Sequence, residues 1–126
     1  MQQSIGKNSK IFVAGGTGLV GSAIIENLLS KGYTNIISNY RNRIPKENLS
    51  IEYIKLDLLD SYAVEKFFET QKPEFVFLAA AKVGGIVANN TYRADFIYEN
   101  LQVQNNVIHQ SYVHGVKKLL FLGSTC

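Results

Sequence analysis

Lys10 to Ala14 is a short, unbroken apolar run that ends at glycines, which is how a strand buried on both faces reads. From Leu19 to Lys31 the apolar residues Val20, Ala23, Ile24 and Leu28 recur at helical spacing, and Gly32 follows as a C-terminal stop. Asn35 to Tyr40 is a second, β-branched run. A polar stretch from Arg41 to Ser50 precedes a third strand, Ile51 to Leu56. Ser61 to Lys72 is predicted as a helix with Val64, Phe67 and Phe68 turned inward and Pro73 closing it. Glu74 to Ala80 is a fourth strand, Thr91 to His114 a long helix stopped by Gly115, and Lys118 to Gly123 a fifth strand. Strands alternating with helices imply parallel pairing through right-handed crossovers, so the expected class is α/β with a doubly wound parallel sheet. The first three strands step outward to one side and the fourth returns to the other side of the first. A switch-point crevice opens there, and ligands of such sheets bind in it.

The first strand and helix are joined by Ala14-Gly15-Gly16-Thr17-Gly18-Leu19-Val20-Gly21, with Gly15, Gly18 and Gly21 three apart. Gly15 lets the chain leave the strand in a tight turn. Gly18 removes a side chain where a pyrophosphate must approach the backbone, and Gly21 lets the helix pack close to the strand. The helix N-terminus adds free N–H groups and the positive end of its dipole. Glycines also simply make turns, but after a strand and before a helix the pattern has the context of a dinucleotide site. The expected cofactor-binding set here is Gly15, Gly16, Thr17, Gly18, Leu19, Val20 and Gly21, in a Rossmann-type NAD(P)-binding domain.

The end of the second strand separates the two nicotinamide cofactors. A carboxylate there takes the ribose 2′-OH of NAD, whereas arginine accommodates the extra phosphate of NADP. The chain has Tyr40-Arg41-Asn42-Arg43, with two arginines and no acid, so NADP is favoured over a pair of solvated loop arginines and Arg41 is the expected contact. Asp57-Leu58 follows the third strand. Asp57 either accepts a hydrogen bond from the adenine amino group or is a turn residue before the next helix.

Composition narrows the classes. The 126 residues are 46% hydrophobic and 18% charged, enough apolar matter for one domain with a real core and too much for disorder. A single cysteine, Cys126, excludes a disulfide framework and a multi-cysteine zinc site; no metal is expected and the cytoplasm is the default compartment. The opening residues lack an apolar core, so no signal peptide is expected, and Phe75 to Ala88 is too short and broken to span a membrane. A net charge of +3 suits an anionic small ligand, and no basic stripe argues for nucleic acid.

The glycine spacing resembles the extended short-chain dehydrogenase/reductase superfamily. A sharper signal runs from Leu78 through Ala79-Ala80-Ala81-Lys82-Val83-Gly84-Gly85-Ile86-Val87-Ala88-Asn89-Asn90, then Tyr92, Ala94-Asp95-Phe96 and Asn100. With the closing Leu120-Phe121-Leu122-Gly123-Ser124-Thr125-Cys126, it is similar to the GDP-L-fucose synthase family, NADPH-dependent epimerase/reductases of GDP-4-keto-6-deoxy-D-mannose. The likeness runs from about Lys10 to the last residue. Departures are Gly16 and Thr17 in the loop, Arg93 where proline is common, and Thr125 where a second serine is usual.

The resemblance implies roles. Ser124 would hydrogen-bond the 4-keto oxygen as hydride arrives. Cys126 would be the acid/base at the epimerised carbons. Ala79, Ala80, Ala81 and Asn100 would lie against the cofactor with Leu58, and Lys82, Val83, Gly84 and Asn89 would rim the sugar pocket. It also implies a GDP-sugar substrate and a homodimer at full length. The superfamily's Tyr-x-x-x-Lys pair belongs on a helix after strand five, beyond Cys126. The chain therefore reads as the N-terminal portion of such a domain, with the substrate domain absent, inactive alone, and left with an apolar edge strand at Leu119 to Leu122. Tyr62 and Lys66 do have that spacing, but on a helix expected to cover the sheet, where they read as a surface pair. His109 and His114 read as solvated or capping. A non-catalytic nucleotide-binding relic and an enzyme for another nucleotide sugar are the competing readings.

Overall fold

A four-residue strand can satisfy its backbone only by pairing, and one that is apolar on both faces must also be covered on both. A computed structural model of the chain, which describes residues 6–42, 51–79 and 90–121, meets both demands. The elements run β1 (Ile11–Ala14), α1 (Leu19–Ser30), β2 (Ile36–Tyr40), β3 (Glu52–Lys55), α2 (Ser61–Gln71), β4 (Phe75–Leu78), α3 (Asn90–Val113) and β5 (Lys118–Phe121). All pairings are parallel, in the order β3-β2-β1-β4-β5, with Phe12 opposite Ile37 on one side and Val76 on the other. This is the doubly wound sheet expected from the alternation of elements. The step from β3 back across β1 to β4 makes the switch point.

Alternate side chains of each strand face opposite ways, and two apolar clusters result. Phe12, Ala14, Ile37, Val76 and Leu78 meet Val64, Phe67 and Phe68 of α2 and Val103 and Val107 of α3. Ile11, Val13, Ile36 and Phe75 meet Ile25 and Leu28 of α1 on the other face. At the centre of the first cluster the Phe12 ring lies 4.4 Å from that of Phe67 and 5.9 Å from that of Phe68. Asp60 caps α2 by accepting from the Ala63 N–H, and α2 stops where Lys72 turns left-handed ahead of Pro73. Gly115, at φ +69°, ends α3 as expected.

One face differs from expectation. The inward residues of α1 are Gly21, Ile25 and Leu28, while Val20 is 54% exposed and Ala23 is exposed. The helix makes its closest approach through a glycine. That turns the buried stripe by one residue and leaves Val20 near the mouth of the loop.

The pair Tyr62 and Lys66 is on the surface of α2, with the Lys66 ammonium 5.6 Å from the Tyr62 ring centre, away from the switch point. His109 is exposed, and the His114 ring packs near Phe68 with Nδ1 3.1 Å from the Gln110 carbonyl oxygen at the end of α3.

Candidate cofactor cleft

Parallel pairing brings the carboxyl ends of β1, β2, β3 and β4 to one side, and a cleft of about 260 Å³ lies there. Its first wall is the glycine loop. Gly15 turns with φ +86°, a conformation that side chains resist, and its carbonyl accepts from the Gly18 N–H at 3.1 Å. Gly18 is the N-cap of α1 and supplies no side-chain cap, and no acid stands in the first turn. Among the described residues no side chain caps the first-turn N–H groups and no acid in that turn meets the positive helix end, which suits an anionic ligand.

A Cβ on Gly21 would lie 2.1 Å from the Gly15 oxygen, so this glycine lets α1 close onto the loop itself rather than onto a strand. Gly16 is buried against Ser38 of β2 and Ile25. A Cβ on Gly18 would meet only the Gly15 oxygen, at 3.5 Å, and the space beyond it opens to the cleft.

The opposite wall is the segment leaving β3: Leu56, Asp57, Leu58 and Leu59. Asp57 Oδ1 accepts from the Leu59 N–H at 3.0 Å, an Asx turn, and its Oδ2 lies 3.8 Å from Arg41 Nε. Asp57 is thus a turn residue, and it also holds the arginine at the cleft. The pair is about half exposed and adds little stability. Asn106 of α3 fixes the segment from behind, donating to the Leu58 carbonyl at 2.8 Å. Ala79 follows β4, its N–H donating to the Ala14 carbonyl at 2.9 Å, and Glu99, Asn100 and Val103 of α3 complete the lining.

Of the residues expected to hold cofactor, Gly15, Thr17, Gly18, Arg41, Asp57, Leu58, Ala79 and Asn100 line this cleft together. Gly16 and Gly21 support it from behind, and Leu19 and Val20 project from the start of α1 outside its lining. Ala80, Ala81, Lys82, Val83, Gly84, Asn89, Ser124 and Cys126 lie outside the described residues. Asn39, which belongs to none of the motifs in the sequence, is only 7% exposed and holds the Gly15 N–H with its Oδ1 at 2.7 Å. The available signal was a carboxamide inside an otherwise buried strand, where it must find partners. Among the described residues there is no group of three metal-ligating side chains, and no helix is long and apolar enough to cross a membrane.

The sequence pattern of one known family matches residues 11–126, nearly the whole chain. The chain belongs to the NAD dependent epimerase/dehydratase family. It is 56% identical over 120 residues to GDP-L-fucose synthase 1 of Arabidopsis thaliana, covering 95% of this chain and 33% of that protein. It is 47% identical over 117 residues to the GDP-L-fucose synthase of Escherichia coli, covering 93% of this chain and 33% of that one. Among solved structures, MlghC, a GDP-mannoheptose C4 reductase from Campylobacter jejuni with NADP bound, superposes with a TM-score of 0.81 at 46% identity over 95% of this chain and 34% of that chain. The chain thus spans about a third of the length of these relatives.

Proposed function

We propose that this chain is the dinucleotide-binding portion of an NADPH-dependent epimerase/reductase that converts GDP-4-keto-6-deoxy-D-mannose to GDP-L-fucose. The observation that carries the cofactor is the cleft itself, where an uncapped helix N-terminus and Arg41 face one space. The pyrophosphate would lie over the turn at Gly15, Thr17 and Gly18 and take the first-turn N–H groups of α1 that follow Gly18. The Gly15 and Gly18 N–H groups already donate to Asn39 and to the Gly15 carbonyl. Arg41, steadied by Asp57, would take the 2′-phosphate, for which a guanidinium has matching donors. Leu58, Leu59 and Val103 offer an apolar slot for adenine. When bound, NADPH supplies the hydride for the 4-keto carbon. Ser124 would hydrogen-bond the keto oxygen and Cys126 would move protons at the epimerised carbons, a task within reach of a thiol whose ordinary pKa is roughly 8.5. Lys82, Val83, Gly84 and Asn89 would border the sugar. The enzyme would work in the cytoplasm, and as a homodimer at full length.

Titration with NADPH and NADH tests the cofactor reading: NADPH should bind at least about tenfold tighter, a difference of about 1.4 kcal/mol, and equal affinities would overturn it. Product analysis with GDP-4-keto-6-deoxy-D-mannose, using the native protein, tests the reaction. A second substrate reading is favoured by the 46% identity to the GDP-mannoheptose C4 reductase, close to the 47% to the Escherichia coli synthase. It places a keto-heptose on the same GDP handle. Turnover of that substrate in preference to the deoxymannose would select it, and NADPH binding with turnover of neither would indicate a non-catalytic module.

A further inference from the structure

The side chain of Asn39 hydrogen-bonds to both walls of the cleft. It lies in β2, between the two strands whose ends carry those walls. Its Oδ1 accepts from the Gly15 N–H at 2.7 Å, and its Nδ2 donates to the Leu56 carbonyl at 3.1 Å. On the β1 side the last partner of β2 is Val13, opposite Ser38, so the carboxamide supplies the next link at Gly15. On the β3 side it adds to the backbone bond from the Leu56 N–H to the Tyr40 carbonyl at 2.9 Å. The carboxamide therefore extends the ladder where β1 leaves β2 and reinforces it where β3 leaves, and does so within the walls themselves.

We propose that Asn39 is a positioning residue for the dinucleotide, fixing the distance between the phosphate-binding loop at Gly15 and the adenosine-binding segment that starts at Leu56. The proposal rests on the cofactor reading above. A ligand that spans both walls needs their spacing to be right before it arrives, since binding energy spent on closing them is lost from affinity. A ligand that touches one wall does not. Removing the carboxamide leaves the half-buried Gly15 N–H and the buried Leu56 carbonyl without this partner, so the walls would separate or admit water.

The test is a split between two ligands in Asn39→Ala. NADPH reaches from adenine to the loop, whereas adenosine 2′-monophosphate reaches only the adenine slot and Arg41. The expected result is NADPH affinity weakened about tenfold or more, about 1.4 kcal/mol, with adenosine 2′-monophosphate changed by less than about twofold. Equal losses for both ligands would mean general damage and would overturn the proposal, as would unchanged NADPH binding. Failure of the unaltered chain to bind NADPH would instead strike the cofactor reading.

Should Asn39→Ala not fold, amide exchange in the unaltered chain decides. The Gly15 N–H should exchange far more slowly than that of Thr17 in the same loop. Exchange at the same rate would remove the bond on which the proposal depends.

Discussion

Two glycines of one loop should fail in opposite ways when given a methyl group. In Gly21→Ala the new Cβ would lie 2.1 Å from the Gly15 oxygen and 2.7 Å from both the Gly15 carbonyl carbon and the Gly16 Cα. Comfortable separations are roughly 3.5 Å or more, so loop and helix must part by on the order of 1 Å. All three obstacles are backbone, and none can swing aside as a side chain would. Overpacking of this kind costs about 1–3 kcal/mol. Alanine in a helix interior returns about 1 kcal/mol relative to glycine, so a net loss of about 0–2 kcal/mol remains, toward the upper end here because every obstacle is backbone.

Gly18→Ala meets no such obstacle. Its φ of −80° suits any residue, and its Cβ would sit 3.5 Å from the Gly15 oxygen. The fold loses only the N-cap preference of glycine over alanine, about 0.5 kcal/mol. The methyl group would nevertheless project into the cleft, where the proposed pyrophosphate approaches the loop. Thermal unfolding by circular dichroism, paired with NADPH titration by fluorescence, separates the two effects. Gly21→Ala should lower Tm by about 4–8 °C. Gly18→Ala should lower it by no more than about 2 °C while weakening NADPH at least about tenfold. A Gly21→Ala chain as stable as the parent would refute the packing of α1 on the loop. A Gly18→Ala chain with unchanged NADPH affinity would refute the placement of the pyrophosphate.

Arg41→Ala should weaken NADPH by about 1.5–3 kcal/mol, the range of hydrogen bonds to a charged group, and leave NADH within about twofold; parallel titrations check it. Asp57→Asn, which releases the arginine and keeps the turn acceptor, should shift NADPH in the same direction by less. Lys72 caps α2 in the left-handed region at φ 47°, so Lys72→Gly should relieve about 1 kcal/mol and raise Tm by a few degrees in a melting scan. Burial pushes the Tyr53 phenol above its ordinary pKa of 10.0, and its hydroxyl has no hydrogen-bond partner among the described residues. A pKa raised on folding means that the native state holds the proton more tightly. Stability from this group is then present below the unfolded pKa and lost as pH rises through the folded one. Tyr53→Phe should flatten the alkaline fall of Tm above about pH 10 without lowering Tm at neutral pH; a fall of the same size in the variant would refute it.

The fold was legible because its strands are short and apolar on both faces, and its helices end at residues that cannot continue them. Phe12 lies between Ile37 and Val76 and beneath Phe67 and Phe68, and all five belong to runs that any buried strand or helix stripe would need. The inner face of α1 was misjudged for a complementary reason. A hydrophobic pattern has no symbol for a glycine that packs by being absent, so Val20 took the place that belongs to Gly21.

The same limit governs the cleft. Residues that would touch a ligand through backbone or charge, such as Gly18 and Arg41, stand at fixed offsets from a strand end and can be found by counting. Residues that hold those contacts in place answer to no spacing. Asn39 joins Gly15 to Leu56 across 24 positions in one direction and 17 in the other, and Asn106 reaches Leu58 from 48 away. What marks them in the sequence is only their cost. A carboxamide in a buried strand or on the inner face of a helix destabilises a chain unless both of its ends are satisfied. The partners able to satisfy them here are the backbone groups that strands expose where they part, beside the switch point. In a sheet of this kind, an amide-bearing residue within a buried element near the glycine loop is therefore a candidate for the site's support, before any ligand has been named.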